Sequence, residues 1–217
     1  MNRRILVLAT VAVAIAAFAI GGLAYTRMTP PAEPVAAAVS EASGLERWHS
    51  PVIGPMNAPV TIVEFFDPSC EACRAFYPIV KQIMDRHPGQ VRLVMRYAPI
   101  HQGSDEAVRI IEAARKQGLF LPVLEALLAG QPAWAVHGAP NLQQAWMIAA
   151  TAGLDVGKAQ ADAKGEDIAA LLAQDIADMA TFAVNQTPTF FVNGQELVEF
   201  GPQQLADAVA AALPSAD

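Results

Sequence analysis

Two cysteines placed where a buried strand gives way to a helix constrain this chain more than any other feature. Cys70 and Cys73 are the only cysteines in its 217 residues, and two residues separate them. Residues 60–66, just before the pair, form a nearly continuous apolar and β-branched run, which is typical of a strand covered on both faces. From Phe76 onwards, apolar residues recur at the spacing of an amphipathic helix that ends before Pro88. The pattern predicts a central strand, a CxxC pair and a helix in direct succession.

The start of a helix favours the ionised form of the first thiol. Backbone N–H groups and the positive end of the helix dipole stabilise an anion there, so the pKa of Cys70 should fall below the ordinary value of about 8.5. Cys73 lies one turn further along and should be less exposed, which suits it to attack a mixed disulfide formed at Cys70. The sequence therefore predicts that Cys70 is a nucleophile and that Cys73 is the thiol that releases its product.

Two other interpretations of the cysteine pair carry less weight. A structural disulfide across such a short loop would constrain the unfolded chain by only about 2 kcal/mol, at the weak end of what these bonds contribute. A zinc site would need more ligands, but the chain has no second cysteine pair and its four histidines are scattered without paired spacing. We therefore expect neither a metal nor another cofactor.

The segments after the first helix predict an α/β fold around this unit. Residues 91–97 and 189–192 have the composition of strands. An Asn-Gly pair at residues 193–194 is a strong hairpin signal and predicts a fourth strand around residues 197–200. A last helix should follow Pro202, because apolar residues recur on one face from there onwards.

A long segment separates the second predicted strand from the third. It covers residues 99–186, which is 88 residues and far more than a simple crossover needs. Ser104-Asp105 and Asn141 are candidate helix N-caps, and apolar residues between Ile168 and Phe182 keep helical spacing. The segment is therefore predicted to be an inserted all-helical subdomain.

Glu64 is an acidic residue inside the predicted central strand. Apolar side chains flank it on both sides in the sequence, so it should be buried, and burial should raise its pKa by desolvation. A buried acid of this kind can move protons. The alternative, in which Glu64 stands on a solvated face of the strand, stays open at the level of sequence.

Two motifs in this chain resemble those of the DsbA-like thiol-disulfide oxidoreductases. One is VEFFDPSCEAC at residues 63–73, and the other, which begins 114 residues after Cys73, is TPTFFVNG at residues 187–194. The likeness covers residues 51–213 and includes the helical insert. It implies a thioredoxin-like fold with an inserted all-helical subdomain and an enzyme that exchanges disulfides with exported proteins.

The resemblance also implies roles for individual residues. Glu64 falls six residues before Cys70, where the family carries a buried carboxylate that exchanges a proton with the second cysteine. Pro188 is expected to follow a cis peptide bond and to leave the backbone of Thr187 free to pair with an extended substrate segment. A plain proline at the start of a strand is the alternative. The dipeptide between the cysteines is Glu-Ala, without His or Pro, so the direction of the redox reaction stays open.

The first residues predict export from the cytoplasm. Residues 5–24 carry no charge and follow Arg3 and Arg4, as in a signal peptide or a membrane anchor held positive-inside. The length of this run favours an uncleaved anchor, since a spanning helix needs about 20 residues. Residues 1–25 are thus assigned to the signal or anchor, residues 26–44 to a Pro/Ala-rich linker and residues 45–213 to the folded domain.

Location and charge limit the partners of such a domain. A periplasmic or otherwise extracytoplasmic enzyme would act on exported cysteine-containing proteins and would need a redox partner in the membrane. A formal net charge of −7 and the lack of a basic cluster after Arg4 argue against nucleic acid. The competing hypothesis is a thioredoxin-fold binding or chaperone module without redox turnover.

Overall fold

The computed structural model describes residues 44–214. The predicted anchor at residues 5–24 and nearly all of the predicted linker lie outside these residues. Within the described part of the chain, no helix has both the length and the apolar character needed to cross a bilayer. Extracytoplasmic location and membrane anchoring therefore stay predictions from the sequence.

Five strands and eight helices make up residues 44–214. In chain order they are β1 (Val52–Ile53), β2 (Val60–Phe66), α1 (Glu71–Arg86), β3 (Val91–Tyr97), α2 (Ser104–Lys116), α3 (Phe120–Ala129), α4 (Gln131–Trp134), α5 (Leu142–Thr151), α6 (Val156–Asp162), α7 (Glu166–Thr181), β4 (Thr189–Val192), β5 (Gln195–Glu196) and α8 (Pro202–Ala212). The strands form one mixed sheet in the order β1-β3-β2-β4-β5. The structure confirms the predicted α/β class and the predicted order of strand, helix, strand, helical insert, hairpin and helix.

The centre of the sheet explains why β2 reads as an apolar run. β2 pairs in parallel with β3 and antiparallel with β4, so it is covered at both edges. Val60, Ile62 and Phe66 point to the face on which α1 and α8 pack, and Val63 and Phe65 point to the opposite face. We call these the α1 face and the α7 face, since side chains of α7 reach the second one. Because both faces are buried, β2 does not show the alternation of apolar and polar residues that is typical of a half-exposed strand.

The helical insert occupies the chain between β3 and β4, as predicted. Helices α2 to α6 pack together beyond the sheet, and their apolar residues join the core of the α1 face. The side chain of Asn141 caps α5 by accepting a hydrogen bond from the Gln144 N–H at 3.0 Å, which confirms one predicted N-cap. The other predicted cap is wrong, because Ser104 is already the first residue of α2 and its hydroxyl donates to the Asp67 carboxylate instead.

The predicted fourth strand is placed too far along the chain. Asn193 and Gly194 have φ values of 46° and 85°, so the chain reverses within two residues. Strand β5 therefore begins at once, with Val192 paired to Gln195 and Phe191 to Glu196. The Leu197 N–H still donates to the Phe190 carbonyl of β4 at 2.9 Å. Residues 198–200 then leave the ladder, and the ring centroid of Phe200 lies 4.5 Å from that of Phe76 on α1.

Candidate active site

A tight turn between β2 and α1 carries the two cysteines. The Cys70 N–H donates to the Asp67 carbonyl at 3.1 Å, and the Ser69 N–H donates to the Asp67 carboxylate at 2.8 Å. Cys70 itself is the N-cap residue, with extended backbone angles, and the helix begins at Glu71. The turn thus places one sulfur at the mouth of the helix and the other one turn inside it.

The two thiols differ in exposure and in contacts. Cys70 is 6% exposed and Cys73 is fully buried. The Cys70 sulfur lies 3.2 Å from the Thr187 carbonyl oxygen, to which it donates when it is protonated, and the Asp67 N–H donates to the Cys73 sulfur at 3.4 Å. Of the two sulfurs, only that of Cys70 can be reached from solvent.

The same asymmetry appears in the acidity of the thiols. The Cys73 thiol, as a hydrogen-bond donor, lowers the pKa of Cys70 to about 5 against the opposing effect of burial, and the N–H groups of Cys73 and Ala72 add to the shift. Burial raises the pKa of Cys73 well above its ordinary value. Cys70 is therefore a thiolate at neutral pH, whereas Cys73 keeps its proton. The sequence predicted this direction from the helix start but missed the larger contribution, which comes from the partner thiol.

Glu64 lies on the α1 face of β2 and is fully buried. Neither of its carboxylate oxygens has a hydrogen-bond partner among residues 44–214. Desolvation, helped by the charge of Cys70, raises the pKa of Glu64 to about 8. The alternative of a solvated strand face is wrong, since both faces of the strand are covered. A neutral carboxylic acid thus lies in the core behind the cysteine pair, and its charge, when formed, acts on Cys73.

The loop before β4 lies beside the first cysteine. The peptide bond between Thr187 and Pro188 is cis, as the family resemblance implied. The carbonyl of Thr187 already accepts from Cys70, so this loop and the CxxC turn face each other. The structure brings together all five residues predicted from the sequence, namely Glu64, Cys70, Cys73, Thr187 and Pro188.

Sequence reasoning missed the part played by Asp67, which is fully buried. Its carboxylate accepts hydrogen bonds from five groups, which are Ser69 N, Ile100 N, His101 N, His101 Nδ1 and the Ser104 hydroxyl. The available signal was topological, because β2 and β3 are parallel and the loops that follow them meet at one edge of the sheet. His101 is consequently held beside the turn that carries the cysteines.

The charge state of His101 follows from this contact. Partial burial alone would lower the pKa of His101, but the hydrogen bond and the charge of Asp67 outweigh it and raise the pKa. The His101 ring lies 5.5 Å from that of His137. Among the described residues, no group of acidic, histidine or cysteine side chains is arranged to hold a metal ion.

A cysteine at a helix start, a second cysteine buried one turn further on and a cis-proline loop beside them are the arrangement of a thioredoxin-type CxxC site. A family model described as thioredoxin matches residues 47–211. The chain belongs to this family. A thioredoxin-like oxidoreductase from Silicibacter pomeroyi is 34% identical, with a TM-score of 0.68, and the likeness covers 78% of this chain and 95% of that one.

Two further solved structures share the fold at lower identity. BdbD from Bacillus subtilis is 23% identical, covers 75% of this chain and 92% of its own, and has a TM-score of 0.66. The thiol-disulfide exchange protein alpha-DsbA2 from Wolbachia pipientis is 19% identical, covers 84% and 99%, and has a TM-score of 0.68. At these identities the likeness shows the fold alone.

The curated relatives are much longer proteins. The Na(+)/H(+) antiporter NhaA 3 of Salinispora tropica is 34% identical over 76% of this chain, which corresponds to 24% of that protein. The antiporter NhaA of Herminiimonas arsenicoxydans is 32% identical over 66% of this chain and 22% of its own length. The chain thus spans about a quarter of the length of the antiporters it matches.

Proposed function

We propose that this protein exchanges disulfides with cysteine-containing proteins outside the cytoplasm, with Cys70 as the nucleophile and Cys73 as the resolving thiol. The observation that carries the proposal is the asymmetry of the pair. Cys70 is accessible and ionised with a pKa of about 5, and Cys73 is buried and protonated. One thiol is suited to form a bond with a substrate, and the other is suited to act only once that bond exists.

The reaction runs in two exchange steps. When the reduced protein meets a substrate disulfide, the Cys70 thiolate attacks one sulfur, the substrate S–S bond breaks and the other substrate sulfur leaves as a thiolate. Cys73 then loses its proton and attacks Cys70, which releases the first substrate sulfur and leaves the protein with a Cys70–Cys73 disulfide. The substrate gains two electrons, and the protein loses two. The reverse sequence oxidises a substrate dithiol.

Glu64 is our candidate for the group that moves the proton of Cys73. The charge of Cys70 is one of the causes that raise the pKa of Glu64 to about 8, and this charge is lost when Cys70 enters the mixed disulfide. Glu64 then ionises more readily, and its carboxylate can accept the proton of Cys73. It is buried together with Cys73 in the core of the α1 face, where water cannot serve easily as a base. In the oxidising direction the same carboxyl would return a proton to Cys73 as that sulfur leaves.

Thr187 and Pro188 are our candidates for substrate binding. The Thr187 carbonyl oxygen lies 3.2 Å from the Cys70 sulfur, so a segment paired with the backbone here would place its cysteine beside the nucleophile. Strand β4 follows directly and gives this loop a fixed direction. An extended substrate segment is therefore expected to lie alongside residues 187–188.

The direction of the reaction depends on whether the redox partner oxidises or reduces the Cys70–Cys73 pair. A Cys70 pKa of about 5 lies between the values of about 7 and 3.5 found in thioredoxin and DsbA. We therefore expect a reduction potential between about −270 and −120 mV. A redox partner in the membrane is proposed from the predicted anchor at residues 5–24. The antiporter function named for the curated relatives is not extended to this chain, because the likeness covers only about a quarter of their length.

Cysteine variants test the proposal against its main alternative, a binding or chaperone module without turnover. In a peptide-disulfide exchange assay, Cys70→Ser should be inactive, whereas Cys73→Ser should react once and accumulate as a mixed disulfide. Alkylation at mildly acidic pH should label Cys70 and leave Cys73 unmodified. A wild-type protein that binds the peptides without exchanging their disulfides would favour the binding module.

A further inference from the structure

A cleft of about 380 Å³ opens beside Cys70, between the first turn of α1 and the short helix α4 of the insert. Its polar wall consists of Glu71, Arg74, Gln131 and His137, and small apolar residues complete it. Glu71 follows Cys70 in the chain and Gln131 donates to the Cys70 carbonyl, so the cleft is within reach of a segment attached to the Cys70 sulfur. The mechanism above makes no use of it.

Gln131 ties the cleft rigidly to the turn that carries the nucleophile. Its side chain is 2% exposed, and its amide N–H₂ group donates to the carbonyls of Pro68 at 2.8 Å and Cys70 at 3.0 Å. The amide oxygen of the same side chain is buried and has no partner among residues 44–214. A buried acceptor without a donor is unfavourable, and an N–H group from a bound segment would satisfy it.

Arg74 provides an unpaired charge in the same cleft. Its Nε is enclosed without a hydrogen-bond partner, and within the described residues its guanidinium makes no ion pair. The nearby acid does not neutralise it, because the Glu71 carboxylate lies 3.4 Å from His137 Nδ1 instead. A partly enclosed guanidinium binds most strongly to a carboxylate, which can accept two parallel hydrogen bonds from it.

We propose that this cleft binds an acidic side chain of the substrate protein that lies next to the reacting cysteine. Arg74 would accept the carboxylate, and the Gln131 oxygen would accept a backbone N–H of the same segment. The proposal rests on the proposed function and names a substrate class for it, namely cysteines in acidic segments. The occupied cleft and the Thr187–Pro188 loop would then fix the substrate at two points, one from α4 of the insert and one from the start of β4.

The overall charge of the protein makes this proposal sharply testable. A formal net charge of −7 repels acidic peptides at a distance, so long-range electrostatics alone predicts slower reaction with an acidic substrate. The cleft predicts the opposite order. A preference for the acidic peptide can therefore be assigned to local contacts.

The test uses two peptides that are identical except for Glu or Gln beside their single cysteine. Each cysteine carries a 2-thiopyridyl group, which has no carboxylate and leaves as a chromophore when the Cys70 thiolate attacks the peptide sulfur. With the reduced wild-type protein, we expect the Glu peptide to react about five- to tenfold faster than the Gln peptide. Arg74→Gln should bring the ratio to one or below, and Arg74→Lys, which keeps the charge without the fork, should give an intermediate ratio.

Arg86→Gln is the matched control. It removes the same charge from the same helix at an exposed position about 18 Å further along α1, so it should keep the wild-type ratio. Equal rates for the two peptides with the wild-type protein would overturn the cleft proposal and leave the exchange function intact. A preference that survives in Arg74→Gln would overturn it as well. No reaction with either peptide would instead refute the exchange function.

A small carboxylate-bearing thiol is the other source of the same chemistry. Glutathione disulfide and its neutral ethyl ester, assayed with the wild-type protein and with Arg74→Gln, separate the two sources. An Arg74-dependent preference for the Glu peptide supports the proposal. Dependence on Arg74 that is seen with glutathione disulfide and absent with the peptides would overturn the assignment to protein segments.

Discussion

The two faces of the central sheet both bury acidic side chains, but only those on the α7 face have ion-pair partners among residues 44–214. On the α1 face, Glu64 is fully buried and its oxygens have no hydrogen-bond partner among residues 44–214. On the α7 face, Asp175 is also fully buried and Asp178 nearly so, yet both are ion-paired with Arg96. One acid lies unpartnered beside the cysteines, and the other two lie in a network of ion pairs.

The network on the α7 face satisfies each of its charges. Arg96 donates to Asp175 at 2.9 Å through its Nε, and it also bonds to the carbonyl of Leu45. Asp175 further accepts from the Tyr97 N–H at 2.8 Å. Arg47 completes the network with two hydrogen bonds of 2.7 Å to Asp178. These contacts tie the start of the folded domain to β3 and α7.

Buried carboxyl groups differ in chemistry according to the partners that surround them. A buried carboxylate with cationic partners stays ionised, and it contributes to structure for as long as those partners remain. A buried carboxylate without partners holds its proton to a higher pH and becomes able to transfer it near neutrality. The α7 face therefore holds ion pairs that contribute to structure, and the α1 face holds an unpartnered carboxyl whose pKa lies near 8.

The largest effect should come from breaking the network on the α7 face. Arg96→Met leaves Asp175 and Asp178 in the core without their central cation, so the free energy of unfolding should fall by about 3–5 kcal/mol. Urea unfolding at neutral pH measures this loss. Arg86→Met, at an exposed position on α1, is the control and should change stability by less than about 0.5 kcal/mol. A similar loss in both variants would show that the network contributes nothing special.

Replacing Glu64, the acid of the α1 face, should instead raise the free energy of unfolding. The folded protein keeps Glu64 protonated up to about pH 8, whereas the unfolded chain releases that proton near the ordinary value of 4.5. The contribution of Glu64 to the free energy of unfolding is therefore fully present below pH 4.5, and it is lost as the pH rises from there through 8. Glu64→Gln removes this loss, so the reduced variant should exceed wild type at pH 8 by an amount on the order of 3 kcal/mol.

Denaturant unfolding of wild type and Glu64→Gln across this pH range checks the sign as well as the size. The two proteins should be nearly equal in stability at pH 4 and should diverge as the pH rises. A variant that is less stable than wild type at pH 8 would mean that Glu64 is ionised and paired, contrary to the structure.

Asp178 on the α7 face should show the reverse dependence of stability on pH. Burial works against it, but the hydrogen bonds from Arg47 and Arg96 hold the pKa of Asp178 at about 2. Its contribution is present above the ordinary value of 3.8 and is lost as the pH falls through 2. Asp178→Asn should lose about 2 kcal/mol at pH 7 and show a flatter stability profile in acid. If the stability of Asp178→Asn in acid followed the same profile as wild type, Asp178 would not contribute to the pH dependence of stability.

Much of the sheet could be predicted from the sequence, and most of the network could not. The bounds predicted for β2, β3 and β4 match the structure, because each strand is a short apolar run closed off by Pro, Gly or Asp. Arg96 and Asp175 are 79 residues apart, and nothing in the spacing of either one signals the other. Contacts of this kind depend on how the helical insert packs, which local patterns do not encode.

The active site divides in the same way. Cys70, Cys73 and Glu64 lie in one strand–helix unit, so local pattern was enough to select them. The contact between Asp67 and His101 depends on the parallel pairing of β2 with β3, and it became visible only in three dimensions. The small strand β1 was missed because its two residues are too few to form a pattern.

The smallest effect should come from His101, at the edge of the α1 face. A positive charge on this ring acts on the Cys70 thiolate, so His101→Gln should weaken thiolate stabilisation slightly. The pH midpoint of Cys70 alkylation should rise from about 5 by less than one unit, and high salt should erase the difference. His87→Gln, at the far end of α1, is the control. A drop in the midpoint would contradict a cationic His101.

The titration of Glu64 itself tests most directly the claim that this acid is neutral and ready to exchange a proton with Cys73. The carboxyl carbon of ¹³C-labelled glutamate can be followed by NMR across pH in the reduced protein, and the signal that is missing in Glu64→Gln identifies the residue. We predict a midpoint of about 8. A midpoint close to 4.5 would show an ionised carboxylate at neutral pH and would contradict the distinction between the two faces.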